Sequence, residues 1–340
     1  MRATQTQEVV MVKSISGSVH PINLDDSLPP MSESRPSTVP VYLTGLGCVQ
    51  VIVRLMILLW LLATPGAFAL SGGEPDSEQR HPAVLTLRSD QVASCSAVKI
   101  DSHTLLTAAH CVVDAGSGSL RPAFQPGGSV QLNNAYRQEC GTDALTVVVA
   151  ETLLPEAYQE GLAKFADYRR QRLAELGDGA SALPTATLQQ GLRMRHHFAA
   201  RYPDIALLRL RTATPSIPTR AVDFTPLQAG AEVELVGFGC AALGRARAGS
   251  GDRSNPEFPA VRRSASSAVI RVDAVNFYTQ AGQRSAQAPS LCPGDSGGPV
   301  LHEGRVVGVH SVVYGLNARH GARSNMAVNL APLADWAAWP

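Results

Sequence analysis

The chain has 340 residues, 45% of them hydrophobic, 17% charged and only 5% aromatic, with a formal net charge of +1. That apolar content can bury one large core or two moderate ones, so disorder is excluded as the default state. With no basic stripe and no aromatic platform, nucleic acid is excluded as an expected partner.

Residues 1–50 are polar, rich in Ser and Pro and without a sustained period, which predicts either a disordered extension or a translation start farther along, near Val51, Val53 or Met56. Across 51–69, Arg54 precedes an apolar run from Met56 to Leu62, and Ala67-Phe68-Ala69 follows it, the layout of a secretory signal peptide. The run is shorter than the roughly 20 apolar residues of a membrane span, although an uncleaved anchor is the alternative. Cys48 stands before the apolar run instead of after it, against a lipid-modified cysteine.

From Pro82 the pattern turns to β. Residues 83–87 and 96–100 read as strands, and a turn at Asp101-Ser102-His103 leads into 104–107, a hairpin that delivers His110. Residues 112–130 are a loop rich in Gly, Ser and Pro, and 144–150 is the next strand. Between Pro155 and Asp204 the period becomes helical: Leu162, Phe165, Ala166, Leu173 and Leu176 share one face, Gly177 offers a stop, and Arg169, Arg170 and Arg172 form a solvated opposite face. The segment from Tyr202 to Leu210 opens polar and turns apolar, as a buried strand entered from a loop. Residues 211–227, with Pro215, Pro218 and Pro226, are the best linker, leaving units of similar size on either side. Strands follow at 233–239, 268–275 and 305–313, separated by an Arg, Gly and Ser-rich loop at 242–266. Residues 331–339 can close the chain as a short helix, with Pro332 in its first turn and Trp336 packing inward.

The chemistry concentrates in Cys292-Pro293-Gly294-Asp295-Ser296-Gly297-Gly298-Pro299. A serine between glycines can sit on a backbone that pushes its hydroxyl outward and lets neighbouring N–H groups converge on one point. Alone, this could be a Gly-rich turn of a β protein. Thr107-Ala108-Ala109-His110-Cys111 lies upstream, however, and Asp204-Ile205-Ala206-Leu207-Leu208 lies between, in the order His, Asp, Ser. A serine hydroxyl is a weak nucleophile at neutral pH and needs a neutral imidazole to take its proton, and the imidazolium that results needs an anion behind it. His196, His197, His302 and His320 are read as ordinary structural histidines.

Together these segments resemble the trypsin/chymotrypsin-like serine protease family, over roughly residues 70–338, most strongly at the three motifs. The resemblance implies an all-β fold: two Greek-key β-barrels, about 70–215 and about 225–330 within a domain spanning 70–340, packed with the active site between them, plus the short C-terminal helix and a helical insertion in the first barrel. His110 and Asp204 would come from the first barrel and Ser296 from the second, with the N–H groups of Gly294 and Ser296 as oxyanion hole. The implied activity is a secreted or periplasmic serine endopeptidase acting through an acyl-enzyme. Protein or peptide substrates are its expected partners, with no cofactor, no metal, no membrane contact after signal cleavage, and a monomeric state. A protease-fold binding module without activity is the rival reading. A serine esterase of another fold would want Ser before Asp before His.

In the family the mature chain begins with an aliphatic residue, one further residue and two glycines, as in Leu70-Ser71-Gly72-Gly73, and its new amino group pairs with the Asp before the nucleophile, here Asp295. Signal peptidase cutting after Ala69 would make that terminus directly. The resemblance also pairs Cys95 with Cys111. The family partner of Cys292 is missing downstream, and the turn carrying Cys240 lies beside the nucleophile loop in the family fold, so Cys240 with Cys292 is implied, leaving Cys140 free. The family usually has glycine where Ser96 or Ala97 stands, a departure from its pattern. Family offsets place the specificity pocket on Ser290, on Ser311 and Val313, and on Asn325. Ser290 lacks the carboxylate that selects Arg or Lys, and a buried cation without an anion is costly. Val313 should partly fill the pocket, and the amide of Asn325 argues against a purely greasy slot. Cleavage after small or medium uncharged residues is therefore expected. Acidic residues are the alternative, because glutamate-specific relatives carry a histidine at the position of His310, which otherwise reads as a core histidine.

Overall fold

The computed structural model describes residues 70, 72–89, 92–138, 144–176, 191–194, 196–239, 260–281, 288–314 and 323–340, and strands are the main regular element among them. The extension at 1–50, the signal segment at 51–69, Cys48, Cys140 and Cys240 lie outside the described residues. In chain order the strands are β1 (Glu74–Pro75), β2 (Val84–Ser89), β3 (Val92–Lys99), β4 (Thr104–Thr107), β5 (Ser129–Asn133), β6 (Arg137–Gln138), β7 (Leu145–Leu153), β8 (Ala206–Leu210), β9 (Glu232–Gly237), β10 (Ala260–Val261), β11 (Arg263–Val272), β12 (Asn276–Ala281), β13 (Pro299–His302), β14 (Arg305–Tyr314) and β15 (Arg323–Asn329). Helices α1 (Ala109–Val112), α2 (Glu156–Leu176) and α3 (His196–Arg201) interrupt them. Among the described residues no helix is long and apolar enough to cross a membrane.

Twelve of the strands close into two antiparallel barrels, while β6 and β10 pair in a separate two-stranded sheet. The first runs β2-β3-β4-β8-β7-β5 and closes by pairing β5 with β2. In the second, β11-β12-β15-β14-β13-β9 returns to β11, and β1 pairs with the start of β11 on the edge opposite β9. Closure removes the edge strands that an open sheet would expose. It also explains the near-continuous apolar runs, since Leu85, Leu87, Val98, Leu106, Val130, Leu132, Val149 and Leu208 fill the first barrel. The second holds Leu235, Val269, Phe277, Val300, Val307 and Ala327. The first core continues into Val236, Phe238, Leu301, Val306 and Val309 of the second barrel. This shared packing fixes one barrel against the other.

The sequence-based elements shift in informative places. β5 lies at the end of a stretch read as loop, β11 begins inside the supposed 242–266 loop, and β12, β13 and β15 were not anticipated. The insertion is helical, but α2 begins at Glu156 and buries Tyr158, Gly161 and Phe165, whereas Leu173, expected on the buried face, is 40% exposed. The C-terminal helix is reduced to a 3-10 turn, Ala331–Leu333. Trp336 does pack against the core, edge-on to Trp339, whose indole N–H donates to the Leu333 carbonyl at 2.6 Å. The 211–227 linker straps both barrels: Lys99 of β3 donates to the carbonyls of Thr214 and Ile217, and the Val306 N–H of β14 donates to Ala221.

Candidate active site

His110 and Asp204 are brought together by one strand pair. β4 runs antiparallel to β8 with Thr107 opposite Ala206, so the residues just after β4 and just before β8 emerge at the same end of the barrel. There the His110 N–H donates to Asp204 Oδ1 at 2.8 Å and its Nδ1 lies 2.6 Å from Oδ2. The disulfide Cys95–Cys111, spanning 16 residues, ties the His110 turn to β3.

Asp204 is fully buried, which by itself would raise its pKa, yet the charge and hydrogen bonds of His110, the Ser311 hydroxyl at 2.5 Å and the His110 N–H hold it below the usual carboxylate value. The His110 side chain remains 38% exposed. Burial disfavours its imidazolium, but Asp204 outweighs both that and the repulsion of Arg121, so the His110 pKa is raised. A base that is held by a carboxylate through Nδ1 keeps Nε2 free to accept a proton.

Ser296 sits between β12 and β13, on a loop whose glycines are required by space. A Cβ on Gly297 (φ +85°) would lie 2.2 Å from both the Ser96 carbonyl and Thr107 Oγ1, and one on Gly298 would lie 2.5 Å from the Val236 carbonyl. The loop is closed by Asp295 N–H to Cys292, Gly297 N–H to His310 and Gly298 N–H to Asp295. Among the described residues the N–H groups of Gly294 and Ser296 donate to no protein acceptor. Ser296 Oγ donates to the Ser311 carbonyl at 3.4 Å rather than to His110. Ser311 thus touches Ser296 through its carbonyl and Asp204 through its hydroxyl.

Asp295 points the opposite way, into the protein, and is wholly buried. It accepts the N–H groups of Cys292 (2.8 Å) and Gly239 (2.7 Å), and that of Leu70 as well. Burial dominates these bonds and pushes its pKa up to about 6. The Gly237-Phe238-Gly239 turn exists to house it: a Cβ on Gly237 would fall 2.2 Å from Asp295 Oδ1, and one on Gly239 2.4 Å from Oδ2. Leu70, 0% exposed, packs with Leu291 in the second core, and Gly73 is anchored by Arg263 Nη1 donating to its carbonyl at 2.8 Å. Cys292 is disulfide-bonded. Its expected partner Cys240 lies outside the described residues.

The specificity positions divide. Ser290 and Val313 are partly exposed, and Ser311 is buried against Asp204. Asn325 does not offer its amide to a pocket: Nδ2 donates to Thr279 Oγ1, the Gln280 carbonyl and the Pro289 carbonyl, and Oδ1 accepts the Leu291 N–H at 2.9 Å. It staples the 289–291 segment to β12, which removes the polar contribution expected of it. His310 is 1% exposed, neither ring nitrogen makes a hydrogen bond, and burial drives its pKa down to about 3 despite a nearby Val236 carbonyl. It is a neutral core histidine. His302, by contrast, satisfies Nδ1 on the Glu232 carbonyl at 2.7 Å.

Two neighbours of the site carried no motif. Tyr158 of α2 is buried near Asp204, and burial together with that charge raises its hydroxyl pKa. Arg121, paired with Asp114 at 3.4 Å, bears on His110 through its charge. Neither is separable in the sequence from an ordinary core tyrosine or surface arginine.

A double antiparallel barrel with a buried carboxylate behind a histidine, and a glycine-framed serine opposite, defines a chymotrypsin-like fold. The family model described as Trypsin matches residues 70–163 and 180–337, and the chain belongs to that family. The gap in the match falls across the C-terminal half of α2 and the start of the following segment. No curated protein is matched. Among solved structures the chain is similar to human heparin binding protein, at 19% identity over 78% of this chain and 93% of that one, with a TM-score of 0.48. A mutant of the same human protein aligns at 18% identity over the same shares, with a TM-score of 0.46.

Proposed function

We propose that this chain is a secreted or periplasmic serine endopeptidase that hydrolyses peptide bonds through an acyl-enzyme, with His110, Asp204 and Ser296 as its triad. The observation that carries this reading is the junction at Ser311, whose carbonyl receives the Ser296 hydroxyl and whose own hydroxyl holds Asp204 against His110. In the reaction Ser296 Oγ rotates from that carbonyl toward Nε2 of His110 and attacks the scissile carbonyl as the imidazole takes its proton. Such nucleophile–base bonds are commonly loose before substrate arrives. The oxyanion would be held by the unused N–H groups of Gly294 and Ser296, and His110 then protonates the leaving amine. Water repeats the sequence on the acyl-enzyme.

Specificity for small or medium uncharged residues is supported by Ser290 without a carboxylate and by Val313 on the pocket wall. The neutral, buried state of His310 weighs against the acidic alternative. Export is supported by the signal-like 51–69 segment and by the disulfide chemistry at Cys95, Cys111 and Cys292. Mass spectrometry of the exported protein after fluorophosphonate treatment tests the assignment. Label on Ser296 alone, an N-terminus at Leu70, and loss of amidase activity in a folded Ser296→Ala variant are expected. Label elsewhere, or an active alanine variant, refutes it, and an inert wild type returns the reading to a binding module.

A further inference from the structure

Ser96 is a buried serine behind the nucleophile loop, and the polar hydrogen of its side chain is fully used. The residue is 0% exposed on β3, opposite Thr86. Its N–H donates to the Ser296 carbonyl at 2.8 Å, and its hydroxyl donates to the Gly294 carbonyl at 2.8 Å. The same hydroxyl accepts the Phe238 N–H at 3.2 Å, and the Ser96 carbonyl accepts Thr107 Oγ1 at 2.9 Å. One side chain therefore joins three elements: the first barrel, the Gly237-Phe238-Gly239 turn that houses Asp295, and the nucleophile loop.

We propose that Ser96 is a positioning residue for the oxyanion hole, holding the carbonyls of Gly294 and Ser296 from behind so that the Ser296 N–H, which lies between them, is kept in place as a donor. The inference rests on the catalytic reading above. A peptide unit is planar, so fixing a carbonyl fixes the plane of the N–H that follows it. The Ser96 hydroxyl fixes the 294–295 peptide and its main chain fixes the 296–297 peptide, so the two peptides flanking the 295–296 unit, the source of the Ser296 donor, are both held, while the Asp295 carbonyl of that unit takes the Gly298 N–H. Gly294 has φ of +104°, a conformation that a glycine could leave easily. The hydroxyl bond supplies a restraint that glycine itself lacks, and it originates in the barrel that carries His110. Donor and base are thereby referenced to one another across the cleft.

The test uses the exported protein with Ser96→Ala, Ser96→Gly and Ser96→Thr. Removing the hydroxyl loosens a donor without deleting it, so kcat should fall roughly tenfold, short of the 10²–10³ for loss of a donor. KM should stay within about twofold, and a peptidyl boronate, whose tetrahedral adduct needs the oxyanion hole, should bind roughly tenfold more weakly. The acid limb of the pH–rate profile, set by His110, should not move, and Ser96→Thr should recover most of the loss. Amide hydrogen exchange across 291–298 should quicken several-fold in the alanine and glycine variants while first-barrel peptides are unchanged. Unaltered exchange there, unaltered kcat, a change confined to melting temperature, or failure of both variants to fold would overturn the proposal. If the wild type neither labels nor hydrolyses, the catalytic reading fails, and the exchange measurement alone still decides the brace.

Discussion

Retaining any residue before Leu70 turns its nitrogen from an ammonium into an amide, and that difference should be readable as a pH dependence of stability. Asp295 is wholly buried with three N–H donors, and with an amide at Leu70 its pKa is raised to about 6 from the ordinary 3.8. Between those values the unfolded chain has released its proton while the folded chain keeps it, so stability falls as pH rises through the window. Two units correspond to on the order of 3 kcal/mol, a large share of the stability of a typical domain. In a chain that begins at Leu70, the ammonium would lower the Asp295 pKa, and the Asp295 contribution would be complete above the unfolded value and lost only on further acidification. The ammonium, its own pKa raised by the pair, contributes fully below its unfolded value near 8 and loses that contribution at higher pH. Denaturant titrations at pH 4, 5, 6 and 7 should therefore slope downward for the uncleaved protein and stay flat, as far as this group is concerned, for the cleaved one. Asp295→Asn should flatten the uncleaved curve. Parallel curves for the two forms would refute the reasoning. An uncleaved protein with full amidase activity would refute its functional consequence, that the amine stabilises the Ser296 loop.

Gly237→Ala places a methyl 2.2 Å from Asp295 Oδ1; a loss of about 1–3 kcal/mol in a denaturant melt is expected, accompanied by reduced activity. Peptide-library cleavage should show small or medium uncharged residues before the scissile bond and no preference for Arg or Lys. His310→Leu should leave that preference unchanged, because the imidazole is neutral and buried; a switch in preference would restore the acidic alternative. Trimming the insertion between Pro155 and Arg201 should alter hydrolysis of large proteins more than that of a short peptide, measured as the ratio of the two rates; equal effects would remove it from the cleft.

The motifs around His110 and Ser296 were legible because each needs a particular local backbone. Cysteine 95 and 111, the small Ala108-Ala109 pair and the glycines around Ser296 are dictated by contacts within a few ångströms, and residue types record such contacts directly. The strands of the second barrel were less legible. β12 begins with buried Asn276 and β15 carries buried Asn325 and Asn329, so neither reads as apolar or as a clean alternation. Two of them are held by partners distant in the chain: Asn276 donates to the Ala199 and Ala200 carbonyls at 3.4 and 3.3 Å, and Asn325 joins β12 to the 289–291 segment. Nothing in a local period reports a partner that only folding supplies. Asn325 also shows how an offset can be carried over from a family while the side chain there takes another task.

The insertion illustrates the same distinction within one element. Its helical period was visible, and Leu162 and Phe165 do face the core, but the buried face also takes in Tyr158 and a glycine, Gly161, and leaves Leu173 exposed. Gly161 costs roughly 1 kcal/mol relative to alanine inside a helix, yet a Cβ there would lie 2.7 Å from the Tyr202 ring. That ring packs on Phe198, which meets Tyr158 edge to face, and Tyr202 stands two residues before Asp204. At the other end α3 packs Ala199 with Tyr278 and Met326, and with Val312 beside Ser311. The inserted segment can therefore lengthen the chain between His110 and Asp204 without separating them, because the β4–β8 pairing, not the connecting loop, sets their distance. What the insertion reaches is the packing around Tyr202 and Val312, which is why, under the proposed function, its trimming is expected to change the ratio of the two hydrolysis rates and not the His110–Asp204 contact.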